Sequence, residues 1–217
     1  SKINVGINGI LRKQKNNGAF GYWDKYSTTY DKYQPYAIET LQMALPFADN
    51  KEATVEGISN GLEALYRMDL GDPSIRLYSY GILANSGYEV TTRIRYETDR
   101  LLNRIPESWK SQKKLGIKQQ ELDSFAVAYW AASKINDDER MSRINSIFLK
   151  QSSLAEPERF GEMKEKTTWF NPTSTRYKTS SVPSLYAPRF GYLLSDIPEK
   201  YMTAEILQIR EKTKNSF

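Results

Sequence analysis

Carboxylates are the first residues to weigh for chemistry in this chain, because its 217 residues include no cysteine and no histidine. Histidine is the commonest general base near neutral pH, and Cys and His supply most zinc and copper ligands. Catalytic triads, zinc sites and thiol redox chemistry are therefore excluded for this sequence. The acidic side chains remain.

An acidic run, Asp137, Asp138 and Glu139, is the best candidate for a metal cluster. The acidic clusters of prenyl-transferring enzymes need a further Asp at helical spacing, and Arg140 occupies that neighbourhood instead. We interpret the run as the cap of a helix, where acidic side chains are favoured. The remaining carboxylates give no pair of the kind a glycosidase needs: Glu107, Glu121, Asp123 and Glu139. The sequence predicts no catalytic residue, no metal site and no cofactor.

The charge balance indicates no nucleic-acid partner. The net charge is +5, from 31 Lys and Arg against 26 Asp and Glu, and the two signs are interspersed along the chain. No block of like charge marks a face for phosphates. The longest apolar run, residues 125–132, is far shorter than the roughly 18 residues that a spanning helix needs. We expect no insertion of this domain into a membrane.

Apolar residues recur at helical spacing along almost the whole chain, which predicts an all-α fold. Pro35 stands where a helix begins, and Asp72 with Pro73 forms an N-cap and first-turn pair. Residues 122–134 form a further predicted helix. One exception is a polar connection over residues 151–181, where residues 167–170 and 175–178 predict a small β-hairpin around a proline turn.

Short links between the predicted helices leave two architectures, an open superhelix or a closed ring of antiparallel helical hairpins. We count five helix pairs at a spacing of roughly 35 to 45 residues, the range of helical-hairpin repeats. The ring is favoured by the small residues of one helix, which allow close inner packing: Ala126, Ala128, Ala131 and Ala132. The prediction is a single domain over residues 1–217, an incomplete α/α toroid.

The most distinctive stretch runs from Gly9 to Trp23. A helix ends near Gln14, and Gly18 permits a tight reversal of the chain. Phe20 and Trp23 can then fold back under the helix end, where the Gln14 amide can bond freed backbone groups. We call these four residues, Gln14, Gly18, Phe20 and Trp23, the helix-end motif, and expect them to stabilise the fold rather than bind a ligand.

The pattern Gln-x-x-x-Gly-x-Phe resembles the helix-end motif of the terpenoid-cyclase and thioester-domain superfamily, whose members are α/α toroids. Within it, the chain is similar to the thioester-domain region of bacterial alpha-2-macroglobulins. The resemblance covers most of the chain, through residues 9–23, 35–44, 71–84 and 123–133, although only the first block is specific. The Cys-x-Glu-Gln thioester motif of that family is absent from this chain, which has no Cys.

The resemblance implies a non-catalytic domain of a large protease-trapping inhibitor in the bacterial periplasm or cell envelope. This domain would form one wall of the cage, with neighbouring domains of the same chain and trapped proteases as its partners. We accordingly expect the sequence to be a piece of a longer protein. A different class remains open: an α/α-toroid enzyme acting on a polyprenyl or glycan substrate, which a cavity lined by several carboxylates would favour.

Tyrosines recur every three or four residues after the helix-end motif, a density of amphipathic rings typical of binding surfaces. Two interpretations stay open for them, an interaction surface and rings wedged over helix ends. The candidates for contact with partner domains are Tyr26, Tyr30, Tyr33, Trp169 and Phe170. The last two lie on the predicted β-hairpin, where they could equally plug the edge of the toroid.

Overall fold

The computed structural model describes residues 1–104 and 119–154, with side chains in the second range described for residues 124–146. Helices make up 70% of the described part, which contains seven α-helices and no sheet. This confirms the predicted helical class. The chain divides into two compact units, Ser1–Val90 and a second that begins at Thr91.

The first unit contains four α-helices, three of which begin at a residue whose side chain caps the helix. They are α1 (Lys2–Leu11), α2 (Gln34–Ala44), α3 (Lys51–Arg67) and α4 (Pro73–Asn85). Pro35 lies in the first turn of α2, as predicted. The predicted Asp72 cap of α4 is also confirmed, because its carboxylate accepts bonds from the backbone N–H groups of Ser74 and Ile75 at 2.8 and 3.1 Å.

The core of the first unit is mostly aliphatic, and glycines in α3 allow neighbouring segments to approach that helix closely. A Cβ on Gly61 would lie 2.9 Å from Cε2 of Phe20 and 3.0 Å from Cγ1 of Ile38, and one on Gly57 would collide with Leu11. Side chains of α2, α3 and α4 complete the core, namely Ile38, Leu41, Leu62, Leu65, Ile75, Leu77 and Leu83. The glycines of α3 thereby set how closely the segment after α1 can approach.

The second unit begins with α5 (Thr91–Leu102) and continues with α6 (Gln119–Lys134) and α7 (Asp138–Leu154). The three helices pack against one another. A three-residue link joins α6 to α7, and in it Asn136 adopts a left-handed conformation with φ of 52°. The predicted helix over residues 122–134 is confirmed within α6.

In the described part of the second unit, the predicted small-residue helix is buried. All described residues of α6 from Phe125 to Ala132 are buried, including the four alanines and the rings of Tyr129 and Trp130. The predicted β-hairpin, with Trp169 and Phe170, lies outside the described residues. Within the described ranges, no helix is both long and apolar enough to cross a membrane.

Candidate functional site

The helix-end motif begins where α1 stops, and Gln14 ties the following turn to α3. Its side-chain amide nitrogen, Nε2, donates to the carbonyl oxygen of Gly18 at 3.0 Å and to that of Gly57 at 2.7 Å. Gly18 has a φ of 83°, and its Cα faces the backbone carbonyl of Asn60 without room for a side chain. One glutamine therefore bonds both the turn that follows it and a helix residue 43 positions further along the chain.

Phe20 is buried as predicted, with 4% of its surface exposed. Its backbone is held by Gln34, the first residue of α2, which is itself 1% exposed. Sequence reasoning missed Gln34, because a polar residue next to a helix-starting proline looks like an ordinary surface position. In the structure its side chain bonds the backbone of Phe20, just before the segment that carries the tyrosines.

The expectation that both rings of the helix-end motif are buried is wrong for Trp23. It is 75% exposed and does not lie under the end of α1. Its indole instead packs edge-on against Tyr22, with ring centroids 4.4 Å apart. The chain reverses immediately after Trp23, between Asp24 and Ser27, so the indole remains on the outer side of the turn.

This reversal is a dense hydrogen-bonded turn. One carboxylate oxygen of Asp24 accepts bonds from the backbone N–H groups of Tyr26 and Ser27, each at 2.8 Å. The Ser27 hydroxyl accepts from the N–H of Trp23 at 3.0 Å and donates to the Asp24 carbonyl at 2.8 Å. Backbone bonds from Gly21 to Lys13 and from Tyr22 to Thr28 fix both sides of the turn. The segment is ordered by its own polar groups.

Residues 22–33, which we call the aromatic loop, carry a cluster of rings around Tyr22. The centroid of Tyr22 lies 5.3 Å from that of Tyr30 and 5.1 Å from that of Tyr33, and Tyr30 and Tyr33 are 6.0 Å apart. Tyr26, Tyr30 and Tyr33 are 84%, 48% and 36% exposed. The structure thus brings together the predicted surface tyrosines, except that Tyr26 contacts none of the other rings.

Lysines surround these rings. Lys25 places its ammonium nitrogen 5.1 Å from the centroid of Tyr26, and Lys32 places its own 5.9 Å from that of Tyr33. Lys13 donates to the carbonyl oxygen of Tyr22 at 3.1 Å. Three lysine ammonium groups therefore lie beside the aromatic loop, which also carries Asp24 and Asp31.

No protein-family model, curated protein or solved structure matches the chain.

The acidic run at the start of α7 caps the helix and binds arginine. Asp137 accepts from the backbone N–H of Arg140 at 3.2 Å, from Nε of Arg95 at 2.8 Å and from a guanidinium nitrogen of Arg140 at 3.0 Å. Burial acts to raise the pKa of Asp137, but these bonds outweigh it and hold the pKa below its ordinary value. Asp138 and Glu139 are exposed in the first turn of α7.

Two carboxylates are buried in the described part of the second unit, and both contact arginine. Glu97 accepts from Arg100 at 3.4 Å, and Asp137 pairs with Arg95 and Arg140 as above. Among the described residues, no three acidic side chains come close enough to hold a metal ion. Arginine side chains thus occupy both carboxylates, which suits a structural role better than acid–base chemistry.

Proposed function

We propose that the chain is a non-catalytic domain of a bacterial alpha-2-macroglobulin-like protease-trapping inhibitor, acting as an interaction module of the cage. The exposed and internally ordered rings of the aromatic loop carry this proposal, together with the resemblance of the helix-end motif to that family. Tyr and Trp side chains on ordered loops supply large contact areas at a small entropic cost. The fold leaves Trp23 and Tyr26 on the surface, where a partner domain can cover them.

The packing in the described part of the second unit supports a scaffold role over the alternative of a toroid enzyme. A polyprenyl or glycan enzyme would need a cavity with convergent carboxylates. Here the alanine and aromatic side chains of α6 are buried, and the buried carboxylates of Glu97 and Asp137 form ion pairs with arginines. The paired packing of α6 and α7 is also the unit from which an α/α toroid would be built.

The family resemblance also bears on the shape, location and partners that we propose for the domain. The domain would be an incomplete α/α toroid, located in the periplasm or cell envelope, and would contact neighbouring domains of its own chain. It would meet a protease only after the whole inhibitor has enclosed it. The thioester chemistry of the family needs a cysteine, so this chain contributes none of the bond-forming residues.

The first test asks whether the longer protein that we propose to contain this chain traps proteases. The protein is incubated with chymotrypsin, and the activity of the enzyme is followed on a small chromogenic peptide and on casein. A trap leaves cleavage of the small peptide intact and blocks cleavage of casein, because only the large substrate is excluded. Equal loss or equal retention of both activities would contradict the proposal.

A second test addresses the aromatic loop within that protein. Hydrogen exchange is measured over residues 22–35 in the isolated chain and in the longer protein with folded flanking domains. Docking predicts slower exchange in the longer protein, and loss of this protection in Trp23→Ala. Tyr96→Ala, an exposed ring on α5, is the matched control and should leave the protection unchanged. Identical exchange in both proteins would remove the loop as the docking surface.

A further inference from the structure

We infer that the aromatic loop binds a protein surface that presents carboxylates around an apolar centre. This inference rests on the proposed function and adds the chemistry of the partner. Three features of the loop carry it: rings that are exposed, a turn that holds them in place, and ammonium groups that have no carboxylate partner among the residues that the structure describes.

The rings are available and already ordered. Trp23 and Tyr26 flank the Asp24 turn, whose carboxylate and hydroxyl bonds fix the backbone between them. A preordered surface loses little conformational entropy when a partner binds. Exposed Trp and Tyr side chains are the residues that most often dominate the energy of an interface. The centre of the contact is therefore apolar and aromatic.

The charges around this centre select the partner. Among the described residues, no carboxylate lies within ion-pair distance of Lys13, Lys25 or Lys32. The carboxylate of Asp24 is turned into its own backbone and does not pair with them. A partner that covers the rings must also meet these ammonium groups. Aspartate and glutamate on the partner satisfy them, whereas basic groups would be repelled.

Other ligand classes fit these observations less well. Tyr22, Tyr30 and Tyr33 pack against one another with centroids 5.1 to 6.0 Å apart, which leaves no slot for a nucleotide base between them. A neutral glycan could stack on one ring, but it gives no counter-charge to the lysines. A protein surface meets both requirements.

The test is a selection of peptides on the whole chain. A phage library of random twelve-residue peptides is selected on the wild-type chain, after depletion on the variant with Trp23→Ser and Tyr26→Ser. We expect the enriched peptides to combine Asp or Glu with aromatic or aliphatic residues. Binding of one synthetic peptide is then measured by fluorescence anisotropy. Trp23→Ala should weaken it about thirtyfold, the effect of a typical interface anchor.

Charge reversal at the lysines distinguishes this inference from simple hydrophobic adhesion. Lys25→Glu and Lys32→Glu should each weaken binding of the acidic peptide by up to about fivefold, because an ion pair is lost. Repulsion between the new Glu and the acidic peptide should weaken binding further. The double variant should in turn prefer a version of the peptide with Lys in place of its acids. Lys134→Glu, on the unrelated helix α6, should change neither affinity.

Three outcomes would overturn the inference: no enrichment, enriched peptides without an excess of acids, or lysine variants that bind the acidic peptide as the wild type does. Preferential binding of a fluorescent dT15 oligonucleotide or of chitohexaose at the same loop would also overturn it. These outcomes leave the protease-trapping test untouched. Failure of the partner chemistry can therefore be told from failure of the proposed function.

Discussion

Gln34 completes the backbone hydrogen bonding of Phe20 with its side chain. Its Oε1 accepts from the N–H of Phe20 at 2.7 Å, and its Nε2 donates to the carbonyl oxygen of Phe20 at 2.7 Å. An amide side chain thus takes the place that a neighbouring strand would occupy. Since Phe20 is buried, water cannot substitute for it.

Replacing Gln34 should therefore destabilise the first unit. Gln34→Leu keeps the volume but leaves two buried backbone groups without partners, which costs about 2–5 kcal/mol in the free energy of unfolding. Urea denaturation followed by circular dichroism measures this. Gln42→Leu is the control on the same helix, because its half-buried amide bonds only the Ser86 hydroxyl. Equal midpoints for the two variants would show that the Phe20 pairing contributes little.

Gly18 and Gly87 form a matched pair that separates backbone strain from close packing. Their φ angles are 83° and 85°, so alanine is strained by about 1–2 kcal/mol at either position. A Cβ at Gly87 meets nothing within 4 Å, whereas one at Gly18 collides with the backbone of Asn60. Gly18→Ala should therefore lower the melting temperature more than Gly87→Ala does. Indistinguishable melting curves would contradict the close approach of the two segments.

The Asp137 carboxylate makes stability depend on pH in a defined direction. Its folded pKa lies below the ordinary value, so its stabilisation is present above about pH 4 and is lost as pH falls through the folded pKa. Asp137→Asn keeps a capping side chain but removes the charge, and should cost about 1–3 kcal/mol at pH 7. The difference from wild type should shrink below pH 4.

The exposed Asp138, one residue further on, provides the control for that titration. Asp138→Asn removes a charge from the same helix turn without breaking a described ion pair. Its effect at pH 7 should stay within about 0.5 kcal/mol, as for most surface substitutions. Unfolding free energies are compared at pH 7 and pH 3. A pH-independent deficit in Asp137→Asn would mean that the charge is not what stabilises α7.

The sequence predicts the helices of this fold better than the path of the segment between α1 and α2. Asp72 and Pro35 act through neighbours in the sequence, so local rules place them correctly. Gln34 and Gly57 act on residues far away, and no local pattern reveals those partners. The spacing of apolar residues also does not reveal which glycines lie where another segment packs too closely for a side chain.

For the candidate surface, too, the sequence reveals some features and not others. The density of tyrosines is visible in the sequence and correctly indicates exposed rings at Tyr26, Tyr30 and Tyr33. The direction in which the Trp23 side chain points is not visible in the sequence, because it depends on the Asp24 turn and on the hydrogen bond from Gly21 to Lys13. An indole near the end of a helix can fold under it or remain outside. The hydrogen bonds of the Asp24 turn and of Gly21 decide between these fates, and the spacing of aromatic residues does not reveal them.

Phe20 and Trp23, three residues apart, should respond to alanine substitution in opposite ways. Phe20→Ala removes a buried ring and leaves a cavity beside Gly61 and Ile38, which costs about 3–5 kcal/mol. Trp23→Ala removes a ring that is three-quarters exposed and touches mainly Tyr22, so it should cost about 1 kcal/mol or less. At roughly 2–4 °C per kcal/mol for a chain of this size, calorimetry separates the two variants clearly. A large loss of melting temperature in Trp23→Ala would place the indole in the core and withdraw it from the interaction surface.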